Sequence, residues 1–175
     1  NLVLLSDIPI YNAAHMGGLF SVFNPDVVSG VSIYKGNFPA RYGGRLSSVL
    51  DVQQRTPSYE EVKVQGGLGL ISSRLAVEVP LFDHKGGLMV AGRRTYFDTY
   101  TRAINRANAD DPDYDPIPDY YFYDLNMRGD LNLGLRDHLQ VNAFHNRDQI
   151  AFDNTNFRFN FHWQNLALNL QWRHA

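Results

Sequence analysis

An α+β segment followed by a run of antiparallel strands is the fold class that the sequence predicts, on three observations. Up to about Arg55, short apolar runs alternate with turn residues and a single helix start. After Thr56-Pro57, apolar and polar residues alternate one by one. The connections between these later runs are alternately short and long. Alternation with period two puts every apolar side chain of a strand on one face and every polar one on the other, so the second part reads as sheet.

In the first part, residues 2–10 form a short apolar run with β-branched members and are predicted as a strand. Residues 11–18 are rich in small side chains and read as a loop. Phe23-Asn24-Pro25-Asp26 is a helix start, with Asn24 able to cap and Pro25 suited to the first helical position, and Gly30 keeps that helix short. Residues 31–34 and 47–52 are strands, separated by a connection punctuated by Gly36, Gly43 and Gly44.

In the second part, Val62, Val64, Leu68 and Leu70 alternate with Lys63 and Gln65, and Leu75, Val77, Val79 and Leu81 with Arg74 and Glu78. Ile71-Ser72-Ser73 is predicted as the turn between them and residues 83–86 as the next. Residues 87–100 read as a strand, although Arg94 falls on the face of Leu88 and Val90. The clearest run is 121–136: Tyr121, Tyr123, Leu125, Met127, Leu131 and Leu133 against Asp124, Asn126, Arg128, Asp130 and Asn132. Leu139, Val141 and Ala143 resume the pattern after Arg136-Asp137. Finally, Phe157, Phe159, Phe161 and Trp163 change parity to Leu166, Leu168, Leu170 and Trp172, which a bulge near Gln164-Asn165 or a tight turn accounts for.

The net charge of -2 argues against a nucleic-acid partner, which calls for a basic face. The absence of cysteine excludes disulfides, thiolate metal sites and cysteine nucleophiles. No run reaches the roughly 18 apolar residues of a membrane helix, and the negative mean hydropathy does not separate a soluble chain from a membrane barrel whose strands need only about 10 alternating residues. A half-buried soluble sheet alternates in the same way. Two features favour a membrane wall: long consecutive strands with no helix to cover their apolar face, and Tyr and Phe gathered at strand ends, at 96–100 and 120–123.

The segment 24–54, NPDVVSGVSIYKGNFPARYGGRLSSVLDVQQ, closely resembles the end of the plug of a TonB-dependent outer-membrane receptor. In that family a short helix, a strand ending in Lys-Gly or Arg-Gly, a Tyr-Gly turn and a strand running into the barrel follow one another; here these are residues 25–29, 31–36, Tyr42-Gly43 and 47–52. Residues 4–10 resemble the plug strand that usually ends Asp-Gly-Val-Pro, with Ser6-Asp7 standing where Asp-Gly is common. Residues 69–75, 92–96, 163–166 and 170–174 resemble the branch that carries an N-terminal carboxypeptidase-regulatory-like domain. The resemblance implies an α+β plug fragment, residues 1–56, followed by antiparallel transmembrane β-barrel strands, residues 57–175, in a partial barrel of about six strands. It further implies energy-coupled import of a scarce nutrient such as a ferric siderophore, glycan or peptide across the outer membrane of a gram-negative bacterium. The expected partners are outer-membrane lipids, the substrate, a surface lipoprotein and the TonB complex, acting through a TonB box before Asn1. Both ends are expected to be cuts within a longer protein. The alternatives are an outer-membrane barrel with a structural or adhesive role, and a soluble β-rich binding domain.

The resemblance puts Tyr11, Asn12 and His15, and Phe38, Arg41 and Tyr42, on two plug-apex loops, as candidates for substrate contact. Arg45, Glu78, Arg93 and Arg94 are candidates for ion pairs between plug and barrel wall. Asp111, Asp113 and Asp115 have the spacing of a calcium loop, but Pro116 stands where such a loop needs Gly and Phe122 where it needs Glu, so a solvated acidic loop is expected. The six scattered histidines show no HExxH spacing and no catalytic constellation is present, so no enzyme activity, metal or cofactor is expected.

Overall fold

The computed structural model describes residues 1–36, 39–42, 47–153 and 157–175. It is built mainly of strands. In the N-terminal part these are β1 (Leu2–Leu5), β2 (Ile8–Pro9), β3 (Ala14–His15), β4 (Phe20–Ser21), β5 (Val28–Lys35) and β6 (Ser48–Gln54). Four of them form a sheet in the order β2-β1-β6-β5, with β1 parallel to β6, while β3 and β4 pair as a separate small hairpin. Ser6 and Asp7 join β1 to β2 with φ of 48° and 66°, left-handed values that a two-residue hairpin turn of type I′ requires and that Asp tolerates better than most residues.

The second part is one six-stranded antiparallel sheet in the order β12-β11-β10-β9-β8-β7. Its strands are β7 (Lys63–Leu68), β8 (Ser72–Leu81), β9 (Gly86–Thr95), β10 (Asp119–Asn132), β11 (Asp137–Asp153) and β12 (Arg158–His174), and α1 (Phe97–Ala107) lies between β9 and β10. The last three strands, of 14, 17 and 17 residues, are far longer than the usual five or six.

This architecture corrects the predicted fold class of an α+β plug fragment followed by a partial barrel. Among the described residues the N-terminal part has no α-helix: the helix start at Asn24 yields only a 3-10 turn, Pro25–Val27, with the Asn24 side chain accepting from the Asp26 amide. The Val28–Lys35 strand begins at once because β-branched residues and Gly30 disfavour further helix. The six-stranded sheet is open at β7 and β12 and does not close into a barrel.

Three local expectations also change. The β7–β8 turn falls at residues 69–71, closed by the Gly69 amide on the Ser72 carbonyl at 2.9 Å, one to two residues before the predicted Ile71-Ser72-Ser73. The strand expected over 87–100 stops at Thr95 and becomes α1, whose Phe97, Tyr100, Thr101 and Ile104 recur at helical spacing, with Asp98 in its first turn and Arg106 in its last. No bulge interrupts β12: its register with β11 is continuous from Arg158 to His174, Asp148 facing Trp163 and His145 facing Leu166.

The two faces of the large sheet have opposite chemistry. On β10, Asp124, Asn126, Arg128 and Asp130 are buried against the N-terminal part, and Leu125 on the other face is 50% exposed. On β12, Leu166, Leu168, Leu170 and Trp172 are 68–80% exposed. On β11, Gln140, Asn142, Asn146 and Asp148 are buried. The sheet is therefore inside out by the standard of a water-soluble domain. Higher along the same strands the chemistry of each face reverses: inward positions become Tyr120, Phe122, Ile150, Phe152, Phe159, Phe161 and Trp163, and outward ones become Arg147, Gln149, Asn160, His162 and Gln164.

Candidate functional site

The N-terminal part docks on the inner face of the sheet through two apolar patches with charged contacts around them. Phe144 of β11 enters the N-terminal core beside Leu5, Ile8, Ile10, Val22 and Val52, and Val27 packs on Ala76, Met89 and Ala91 of β8 and β9.

The deepest polar contact is made by His15. The β3–β4 hairpin reverses through Met16 and Gly17, both at positive φ, and so pushes the His15 ring at the sheet. Its Nε2 lies 2.7 Å from Asp124 Oδ1 and its Nδ1 2.7 Å from Asp148 Oδ2, with all three side chains fully buried. Carboxylates only accept, so donating to both requires both ring nitrogens to carry protons, which is the imidazolium form. Burial alone pushes the His15 pKa down, but the hydrogen bonds and charges of Asp124 and Asp148 outweigh it and the net shift is upward. Arg93 completes a neutral quartet: its Nε and Nη2 reach Asp124 Oδ2 at 2.7 and 2.5 Å, and Nη2 also donates to the Ser21 carbonyl at 2.6 Å. Tyr120 donates its hydroxyl to Asp148 and accepts from the Met16 amide at 2.8 Å. Phe122 stacks on the His15 ring at 3.8 Å.

Further along the interface, Arg128 donates to the Gln54 carbonyl at 2.6 Å and to Asp130 at 2.7 Å. Asp26 faces Arg74 at 3.1 Å and accepts from Gln65 at 3.1 Å. Arg55 pairs with Glu78, which also accepts from the Ser58 amide at 2.8 Å. A polar crevice of about 290 Å³ between Asp7, Gln53, Arg128, His138 and Gln171 runs along the same junction. Not every buried group is satisfied: among the described residues neither side-chain atom of Asn142 has a partner, nor do the amide nitrogens of Asn126 and Asn146. Each such group costs about 1–3 kcal/mol, so this junction is less tightly sealed than a permanent core.

Of the predicted contact residues, Tyr11 is 84% exposed. Asn12 is exposed and, in the amide orientation that satisfies both its groups, accepts from Trp163 Nε1 at 2.5 Å. His15 is buried in the quartet and presents nothing to a ligand. Tyr42 is buried, donating to Asp51 at 3.0 Å, and Arg41 lies over its ring, mostly exposed. Phe38, and the Arg45 expected in an ion pair, lie outside the described residues. Glu78 and Arg93 both meet groups of the N-terminal part, whereas Arg94 lies on the outer face and pairs with Asp98 of α1 at 2.8 Å. Sequence reasoning missed His15 as a docking residue, with Asp124, Asp148, Arg128 and Asp26. The signal for the acids and Arg128 was present in the polar parity of β10, but nothing local marks their partners.

The upward shift fixes a sign. His15 contributes docking stability that is fully present below its unfolded pKa of about 6.5 and is lost as the pH rises through its higher folded value. The groups facing it are Asp124 and Asp148, with Arg93 on Asp124 and the Tyr120 hydroxyl on Asp148. The chain has no cysteine, so Val22→Cys is a unique reporter of undocking and Leu19→Cys, already exposed, a reference for thiol ionisation. The ratio of their labelling rates is expected to rise with pH, and His15→Gln to flatten it. A ratio independent of pH in the chain that keeps His15 contradicts the imidazolium.

Comparison with family models, curated proteins and solved structures finds no match to this chain.

Proposed function

We propose that the chain is part of a TonB-dependent outer-membrane receptor that imports a scarce nutrient, with the open six-stranded sheet as a portion of its lipid-facing wall. The observation that carries this reading is the inversion of the sheet: fully buried Asp124, Asn126 and Asp148 on one side, exposed Leu125, Leu166, Leu168 and Leu170 on the other. Water-soluble monomers rarely expose contiguous apolar patches beyond a few hundred Å², whereas a membrane wall must. The height also fits. From Leu131 to Tyr121, with the aromatic girdle at its end included, the outward side chains of β10 run about 33 Å along the strand at about 3.3 Å per residue, or about 25 Å at a tilt near 40°, of the order of the usual apolar band. The level at which the outer face turns polar, between Leu166 and Gln164, is then the edge of that band, with Tyr121 and Tyr123 as its aromatic girdle.

The junction suits a transporter that must move its N-terminal part. Ion pairs and hydrogen bonds hold that part in place but leave polar groups that water can take over when it shifts. The inward aromatics above the band, with Asn12 against Trp163, are the surface a nutrient meets first. The test is fractionation followed by uptake. The full protein is expected to resist alkaline carbonate and to need detergent for release, and its deletion is expected to abolish a nutrient uptake that a protonophore also stops. Recovery in the aqueous fraction without detergent overturns the assignment.

A further inference from the structure

We infer that the outer face of the sheet carries a site for one anionic lipid with a phosphate monoester headgroup, its acyl chain in a groove across β7 to β10 and its phosphate on Arg94 and Arg147. The site rests on the membrane reading above. A groove of about 960 Å³ lies not at the docking interface but on the opposite face, walled by Leu68, Leu75, Val77, Val90 and Leu125. It exists because the row Gly66–Leu75–Gly92–Leu125 alternates no side chain with a large one, so the glycines leave hollows between leucines. Leu75 leans over Gly66 and Leu125 over Gly92, each 3.3 Å from where a Cβ would stand.

Arg74 and Arg93 border this groove but are engaged by Asp26 and Asp124, which leaves the charge available to a ligand at its head. In the next row toward the polar level, Tyr123 lies between Arg94 on β9 and Arg147 on β11. Arg94 lines the groove, lies over the Tyr121 ring at 4.9 Å and is partly exposed. Its one acid partner among the described residues, Asp98, is shared with Arg102 at 3.7 Å. Arg147 gives a single hydrogen bond, to Gln149 at 3.2 Å, and its Nε is shielded from solvent with no acceptor among the described residues. The row itself carries two guanidinium groups and no carboxylate. An apolar groove that ends beside two arginines at the edge of the band complements a lipid with an acyl chain and an anionic phosphate. A single unspecific headgroup contact needs only one snorkelling cation and no groove.

The test uses the full protein in mild detergent, with binding read by native mass spectrometry. Bis-phosphorylated lipid A is the probe, beside zwitterionic phosphatidylethanolamine and inorganic phosphate. One lipid A is expected to bind saturably, and neither comparison compound to do so. Removing each arginine, Arg94→Ala or Arg147→Ala, is expected to weaken binding about tenfold, the size of one charged hydrogen bond. Gly92→Leu is expected to weaken it with both charges in place. If an alanine variant fails to fold, Arg94→Gln and Arg147→Gln replace it, and Gly92→Leu is an independent arm. Equal binding of both lipids, or undiminished lipid A binding in the variants, overturns the site while leaving the membrane reading intact. A protein that needs no detergent overturns the membrane reading itself.

Discussion

Asp124→Ala will release the N-terminal part from the sheet. Asp124 is fully buried and answers two cations at once, His15 from the N-terminal hairpin and Arg93 from β9. Without it the quartet keeps two positive charges against Asp148 alone, in a place that water does not reach. Breaking a buried ion pair from one side costs about 3–5 kcal/mol, because the partner charge is left uncompensated. That converts to more than about a 100-fold rise in the undocked population. The Val22→Cys labelling rate measures it, since Val22 lies in the cluster that Phe144 closes. Asp124→Asn is the milder case: it keeps the shape and can still accept from one donor. An Asp124→Ala protein that labels Val22→Cys no faster than one retaining Asp124 shows that His15 and Arg93 do not hold the junction. The large sheet itself is expected to persist in both variants, because its strands are paired through the backbone over long continuous registers.

The strands of the large sheet were legible because period two is a local signal: Asp124, Asn126, Arg128 and Asp130 share a face whatever lies opposite. The docking site was not, because His15 meets Asp124 and Asp148 across 109 and 133 residues of sequence, and no local pattern encodes that pairing. The parity change between Trp163 and Leu166 was misread for a different reason. A bulge or a tight turn follows only if each face keeps one chemistry along its length. In the structure the backbone runs straight and the chemistry changes, from aromatic inside and polar outside to polar inside and apolar outside. The run at 96–100 misled in a similar way. Tyr96, Phe97 and Tyr100 suited a strand end, yet Phe97, Tyr100, Thr101 and Ile104 also repeat at helical spacing, and helix won once Thr95 ended its pairing with Ser72.

The second large effect concerns the outer face. Leu168 and Leu170 lie on β12 in the middle of the apolar band, paired with Ala143 and Val141. If that band faces lipid, a charge there must be carried into hydrocarbon, which costs about 2–4 kcal/mol for an arginine at the bilayer midplane and about 0–1 kcal/mol near its edges. If the same face meets water, an arginine at a position as exposed as Leu168, 74%, costs almost nothing and improves solubility. Gln164, two rows beyond Leu168 toward the polar level, supplies the internal control. The two environments thus give different answers for one substitution. The decisive measurement is the stability of the full protein folded into lipid vesicles, by denaturant titration, for Leu168→Arg against Leu168→Ala and for Gln164→Arg against Gln164→Ala. The expected result is a loss of about 2–4 kcal/mol at position 168 and less than about 1 kcal/mol at 164. Equal and negligible costs at the two positions would place the leucine face in water and remove the basis for a membrane wall.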